Sequence, residues 1–161
     1  MTNYAFIDSQ NLHQSIKALG WKIDMRRFRV YLKEKYGVSD AFLFLGLIPK
    51  FHGLYRQLGS GGYRLVLKPV SFLPNGGVKG NVDTEIVLHA IDQMPNYDQA
   101  VLVSGDGDFA SLVRYLDDRK KLEMVLAPSP RSCSVLLEKA AGTKIRFLHE
   151  QQVKLKKKRT P

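Results

Sequence analysis

Short apolar runs alternate with amphipathic stretches along most of this chain. Runs such as YAFI at 4–7 and DAFLFLGLI at 40–48 have no polar face, which is typical of strands buried on both sides. The predicted strands are residues 4–7, 40–48, 63–70, 99–105, 122–128 and 143–150. The amphipathic segments between them are predicted helices, within residues 8–20, 25–37, 50–59, 82–94, 108–121 and 131–142. This alternation predicts an α/β fold with three layers, α/β/α, around a mainly parallel central sheet.

Local signals mark the ends of these elements and the limits of the domain. Asp24 is suited to cap the helix at 25–37, whose last residue is a glycine. Residues 71–81, SFLPNGGVKGN, are rich in Gly, Pro and Asn and are predicted to form a loop. Residues 151–161, QQVKLKKKRTP, are charged and unpatterned, so we expect a disordered basic tail after a single domain at residues 1–150.

Composition and charge narrow the class of protein. With 161 residues, of which 44% are hydrophobic, the chain can bury the core of one domain. Its 25 Lys and Arg against 15 Asp and Glu give a formal charge of +10, which favours polyanionic partners, nucleic acid before an anionic membrane. The single cysteine, Cys133, excludes an intrachain disulfide, and the four histidines form no zinc motif. Without a leader-like start or a long apolar run, we expect a soluble cytoplasmic protein that does not bind membranes; its oligomeric state is open, a homodimer included.

Four aspartates run against this basic background, and all four lie at predicted strand ends or helix starts. Asp8 follows the first strand, Asp106 and Asp108 follow the strand at 99–105, and Asp83 begins a helix. In an open parallel sheet, ligands bind in the crevice at the carboxyl ends of the strands. We therefore expect the four carboxylates to meet at one edge of the sheet.

Carboxylates that meet in this way repel one another unless a cation compensates. Oxygen ligands suit Mg²⁺ or Mn²⁺, and such ions are commonly held by a few carboxylates together with substrate phosphates. One or two ions could activate water for attack on a phosphodiester while the basic surface holds the strand. The candidate metal ligands and catalytic residues are therefore Asp8, Asp83, Asp106 and Asp108, with Ser104 expected to orient Asp106 or the turn around it.

At these positions the chain resembles NYN domain proteins of the LabA-like branch, within the PIN-like nuclease superfamily. The matching pieces are FIDSQN at 6–11, KGNVD at 79–83 and VSGDGDF at 103–109, and the pattern of elements extends the resemblance over about residues 3–149. In many relatives the second motif is KGVD, and here Asn81 lengthens it. The resemblance implies a PIN-like fold and a Mg²⁺- or Mn²⁺-dependent endoribonuclease acting on single-stranded or flexible RNA, with Asn11 near the acidic cluster.

Several residues outside the cluster are candidates for RNA binding. In the loop at 71–81, Phe72 could stack on a base and Lys79 could approach a phosphate, although a plain connector would have the same composition. The tail offers further contacts to phosphates, or is simply solvated. Its candidate residues are Lys154, Lys156, Lys157, Lys158 and Arg159.

Other interpretations of the same residues stay open. Asp108 could be a helix N-cap, Asp83 could serve the helix dipole, and Asn11 could be a cap. GDGDFA at 105–110 also matches the GxGxxA pattern of dinucleotide-binding proteins. Finally, the acidic cluster could belong to an RNA-binding module with little or no catalysis, acting in an RNA-processing or regulatory complex.

Overall fold

The computed structural model describes residues 2–75, 78–79 and 82–158, with the backbone alone at 49, 72, 78 and 79. Its strands are β1 Asn3–Asp8, β2 Val38–Leu47, β3 Tyr63–Pro69, β4 Ser71–Phe72, β5 Val78–Lys79, β6 Ala100–Val103, β7 Leu122–Ala127 and β8 Ile145–Phe147. Its α-helices are α1 Ser9–Ala18, α2 Met25–Tyr36, α3 His52–Ser60, α4 Asp83–Asp92, α5 Ala110–Asp118, α6 Val135–Ala141 and α7 Gln152–Leu155. In this described part of the chain, no helix is both long enough and apolar enough to cross a membrane.

Six of the strands form one parallel sheet in the order β3-β2-β1-β6-β7-β8. The chain builds outward from β1 to β3, then returns to the middle and builds the other half from β6. The strand order therefore reverses between β1 and β6, and the crevice that such a reversal opens lies at the carboxyl ends of these two strands.

The sheet is covered on both faces because successive residues of a strand point to opposite sides. In β1, Ala5 and Ile7 pack into one core cluster, with α1, α2, α3 and α7, while Phe6 packs into the other, with α4, α5 and α6. Each of the six central strands and each of the first six helices falls where the sequence pattern predicts it. The three-layer α/β/α arrangement and the parallel sheet are confirmed.

Within residues 1–150, two segments differ from the prediction. The expected loop at 71–81 contains a short antiparallel ribbon, β4 paired with β5, and Pro74 and Asn75 lie in a turn after β4. The last central strand is shorter than predicted, because a 3-10 helix begins at Leu148. Leu148 is fully buried and ends up packed in the core beside α1 and α2.

The disorder expected from residue 151 onward is wrong for residues 151–156. These residues form the end of the 3-10 helix, α7 and an isolated bridge between Lys156 and Ile23. Leu155 is fully buried in the same core cluster as Leu148. The two leucines are seven residues apart, a helical spacing that puts them on one face, and the burial of that face offsets the cost of ordering the segment.

Shortening Leu155 tests how strongly this segment is attached. Leu155→Ala is expected to lower the free energy of unfolding by about 2–5 kcal/mol, since it removes buried methyl groups and leaves a cavity. Val153 is a matched control on the same helix because its side chain is 95% exposed. Denaturant unfolding should show Val153→Ala within about 0.5 kcal/mol of the wild type. Equal stability of all three proteins would mean that the segment is not packed in solution.

The loop after β6 packs closely against the loop after β7. A Cβ placed on Gly105 would collide with the backbone oxygen of Ser132, and one on Gly107 would collide with the hydroxyl of Ser134. The amide of Ser134 also donates a hydrogen bond to the Gly105 carbonyl, at 3.0 Å. Both glycines are therefore required by protein packing, which removes the reason for interpreting GDGDFA as a dinucleotide-binding turn.

Replacing Gly105 by alanine should strain this contact. Because the colliding atom belongs to the backbone, we expect a loss of about 1–3 kcal/mol in the free energy of unfolding, measured by chemical denaturation. Gly59 in α3 is the control, since a Cβ there meets nothing within 4 Å. Gly59→Ala should leave stability unchanged or raise it by up to about 1 kcal/mol. A Gly105→Ala protein as stable as the wild type would contradict the close contact.

Candidate metal centre

Three carboxylates meet at the point where the strand order reverses. Asp8 is the last residue of β1, Asp106 lies in the loop after β6, and Asp83 is the first residue of α4. One carboxylate oxygen from each lies within 4.8 Å of the other two. The prediction that acids from distant parts of the sequence meet at this edge of the sheet is confirmed for these three residues.

Asp8 is held in a fixed position by both of its oxygens. Its Oδ1 accepts a hydrogen bond from the amide of Asn11 at 3.3 Å, so Asp8 is the N-cap of α1. Its Oδ2 accepts one from the hydroxyl of Ser104 at 3.2 Å. Only 5% of the residue is exposed. The side chain cannot swing away without losing both bonds, so it presents its remaining lone pairs in one direction.

Hydrogen bonds hold the loop after β6 beside Asp8. The hydroxyl of Ser104 accepts from the amide of Asp106 at 3.1 Å, and Asp106 Oδ1 accepts from the amide of Asp108 at 2.9 Å. The side-chain oxygen of Asn11 accepts from the amide of Gly105 at 2.9 Å. Asn11 and Ser104 thus connect the two loops that carry Asp8 and Asp106, and Asn11 itself is not the cap of α1.

Burial and the neighbouring acids raise the pKa values of Asp8 and Asp83. Burial raises the pKa of Asp8, against the lowering effect of its two hydrogen bonds. Burial, followed by the negative charges of Asp106, Asp8 and Asp108, raises the pKa of Asp83 to about 6. Ionisation of Asp8 and Asp83 therefore costs more free energy than in an exposed aspartate, and a cation bound beside them would offset this cost.

The protein supplies no such cation among the described residues around the cluster. A cavity of about 200 Å³ opens here, and none of the described residues that line it is a lysine or arginine. The lining residues are Asp8, Gln10, Asn11, Gln14, Val82, Asp83, Asp106 and Asp108. Carboxylate and amide oxygens are the ligands that Mg²⁺ and Mn²⁺ prefer, so the donor set fits such an ion.

Asp108 occupies a different position from the other three acids. It lines the cavity, but it is exposed and lies outside the group of oxygens within 4.8 Å. It is not a helix N-cap either, because Asp106 caps the 3-10 turn Gly107–Phe109 that contains it. Its remaining role as a ligand, directly or through water, is a prediction.

Most of the predicted RNA-binding residues do not line the acidic cavity. Lys154, Lys156, Lys157 and Lys158 are exposed and lie along the segment that pairs with Ile23. The side chains of Phe72 and Lys79 are outside the described part of the structure, and so is Arg159. The tail lysines therefore do not line the acidic cavity, and their role in RNA binding stays a prediction.

Two polar residues of the cavity were missed by the sequence analysis. Gln10 and Gln14 line it from α1 and are exposed. They are four residues apart, so they lie on the same face of the helix that Asp8 caps. Their signal in the sequence was this spacing after Asp8, and it is weak because exposed glutamines are common on helices.

Comparisons with known proteins give the same assignment from independent evidence. A family model described as the NYN domain matches residues 4–148. The protein "Low amplitude and bright protein LabA" of Synechococcus elongatus is 32% identical over 121 residues, which cover 69% of this chain and 65% of that relative's length. A crystal structure of a protein of unknown function from Vibrio parahaemolyticus shares 29% identity, with a TM-score of 0.74 over 88% of this chain and 89% of that one. With its acidic cluster at the expected edge of the sheet and a matching family model over residues 4–148, the chain belongs to the NYN domain family.

Proposed function

We propose that this protein is a divalent-metal-dependent endoribonuclease that hydrolyses phosphodiester bonds in single-stranded or flexible RNA. The observation that carries the proposal is the group of three carboxylates, one of them almost fully buried, in a cavity whose described lining has no basic residue. Membership of a nuclease-like family supports the reaction class. The choice of RNA over DNA rests on that family resemblance.

In this proposal the acids have graded roles. Asp8 and Asp106 would be the principal ligands of Mg²⁺ or Mn²⁺, since their side chains are fixed by hydrogen bonds before any ion arrives. Asp83 and Asp108 would complete the site directly or through water. When bound, the ion supplies activation of water for in-line attack at phosphorus and charge stabilisation at the leaving oxygen.

The other cavity residues would bind and orient the substrate. Gln10 and Gln14 present uncharged amides that can donate to a phosphate or accept from a ribose hydroxyl. Asn11 and Ser104 would act indirectly, by holding the two ligand-bearing loops together. The overall charge of +10 would draw the RNA to a protein whose reaction centre is itself negative.

Asp106→Asn tests the proposal most directly. An asparagine oxygen can still accept from the amide of Asp108, so the turn should survive while the charged ligand is lost. We expect cleavage of end-labelled single-stranded RNA, with Mn²⁺ or Mg²⁺, to fall by more than the roughly 10- to 100-fold typical of losing a residue that only supports a metal ligand.

The matched control is Asp118→Asn, which removes one exposed carboxylate outside the cavity. Asp118→Asn should cut RNA at the wild-type rate. EDTA should abolish cutting by this variant and by the wild type. Cutting by Asp106→Asn at the wild-type rate would rule out the assigned site. Salt-sensitive RNA binding with no turnover in either metal would favour a binding module instead.

The raised pKa of Asp83 predicts how metal and pH affect stability. The pKa of Asp83 is about 6 in the folded protein and roughly 3.9 in an unfolded chain. Between these two pH values the folded state binds more protons than the unfolded state. Stability of the metal-free protein should therefore fall as pH rises through this window. Because ligands must be ionised, Mn²⁺ should raise Tm more at pH 7.5 than at pH 5.

Asp83→Asn separates the two effects. In EDTA at pH 7.5 this variant should melt at a higher temperature than the wild type, because one of the repelling charges is gone, and the Tm increase given by Mn²⁺ should be smaller. Thermal melts of Asp118→Asn under the same conditions provide the control. A lower Tm for Asp83→Asn in EDTA would show that the charge of Asp83 is already compensated in the metal-free protein.

A further inference from the structure

A second surface, separate from the acidic cavity, gathers positively charged side chains. We define this basic surface by Arg26, Arg27, Lys154 and Lys157. Two shallow cavities, of about 230 and 360 Å³, adjoin here and share Arg26 in their linings. The smaller also includes Lys157, and the larger also includes Arg27 and Lys154. None of these four residues lines the acidic cavity.

The basic surface is assembled from the two ends of the chain. The amide of Asp24 donates to the Leu155 carbonyl at 2.7 Å, and the amide of Lys157 donates to the Lys22 carbonyl at 2.8 Å. Between these two bonds lies the bridge that pairs Ile23 with Lys156. The lysines of the C-terminal segment are therefore held beside the first turn of α2 rather than left in solvent.

Three of the four charges of the basic surface have no ion-pair partner among the described residues, and only Arg27 lies near a carboxylate, that of Asp24. Asp24 is engaged as the cap of α2, accepting from the amides of Arg26 and Arg27 at 3.0 and 3.2 Å, and its other oxygen lies 3.8 Å from Arg27 Nε. Among the described residues, Arg26, Lys154 and Lys157 have no carboxylate within 4 Å. Because the helix amides are already capped, attraction for an anion comes from the side chains.

Apolar groups lie between these charges. Val30 is 52% exposed in the larger cavity, and Leu54 is 49% exposed in the smaller. The ammonium of Lys154 lies 5.5 Å from the ring centre of Tyr31, over its face. Single-stranded nucleic acid is complementary to this surface. Its phosphates can contact the basic side chains, and the faces of its bases can contact the apolar ones.

We propose that the basic surface is a binding site for single-stranded RNA that is separate from the cleavage site. The proposal takes RNA as the polyanion from the proposed function and is otherwise independent of it. An anionic membrane fits less well, because Val30 and Leu54 line concave cavities and do not form a projecting apolar face.

The test measures RNA binding without cleavage. A fluorescent 20-nucleotide oligouridylate is titrated in EDTA at several NaCl concentrations, and binding is followed by anisotropy. Arg26→Ala/Lys157→Ala should weaken binding about 10-fold or more and reduce the slope of log K against log salt by about 1.4, since each lost contact to a single strand is worth about 0.7. Arg26→Gln/Lys157→Gln should show the same loss of affinity and the same change in salt slope. Thermal melts check that both double variants fold.

The matched control removes the same charge from the other face of the sheet. Arg114 and Lys139 are exposed on α5 and α6, so Arg114→Ala/Lys139→Ala should leave the salt slope almost unchanged. An equal loss in both double variants would overturn the proposal, because general charge would then explain binding. Vesicles of phosphatidylcholine and phosphatidylserine form a second arm, and loss of vesicle binding with intact RNA binding would overturn it in favour of a membrane.

The outcome is distinguishable from failure of the proposed nuclease. If no metal supports cleavage but the Arg26 and Lys157 double variant still loses RNA affinity selectively, the binding site stands and the nuclease proposal falls. If cleavage depends on Asp106 and the double variant binds and cuts like the wild type, the nuclease stands and the binding site falls. When both hold, the double variant should raise KM for RNA with kcat unchanged.

Discussion

The parallel pairing of β1 with β6 determines where the acids of this chain meet. Its register matches Ile7 with Val103, so Asp8 at the end of β1 lies beside Ser104, the residue after β6, and the Ser104 hydroxyl donates a hydrogen bond to Asp8 at 3.2 Å. Residues 96 positions apart thereby become neighbours. The loop that carries Asp106 begins at Ser104. A shift of one residue in the pairing register would turn Asp8 to the other face of the sheet.

The acidic cavity and the basic surface share no described lining residue. The carboxylates lie in a cavity whose described lining is otherwise neutral, while arginines and lysines gather on the side of α2 and α7. An internal ion pair at Asp8 or Asp106 would satisfy these acids and would make the cavity a poor site for a metal. The same separation lets a polyanion be attracted by one region of the protein without being held at the acids.

The sequence predicted what depends on local order and on general rules of parallel sheets. Six strands, six helices and the edge at which Asp8, Asp83 and Asp106 meet follow from periodicity and from where loops must lie. The packing of Leu155 could not be predicted. It is one buried apolar residue flanked by lysines, and the residues that it packs against lie far away in the sequence. Asp108 was grouped with the other acids because spacing along a chain does not report which carboxylates point inward.

The bridge between Ile23 and Lys156 joins positions near the two ends of the chain. During synthesis a ribosome must therefore translate the chain through residue 156 before this contact can form, whereas β1, β2 and α2 become available early. The arginines of α2 are therefore synthesised well before Lys154 and Lys157. A nascent chain that stalls before residue 154 would carry all three clustered acids but only half of the positive surface, so the two charged regions of the molecule mature at different times.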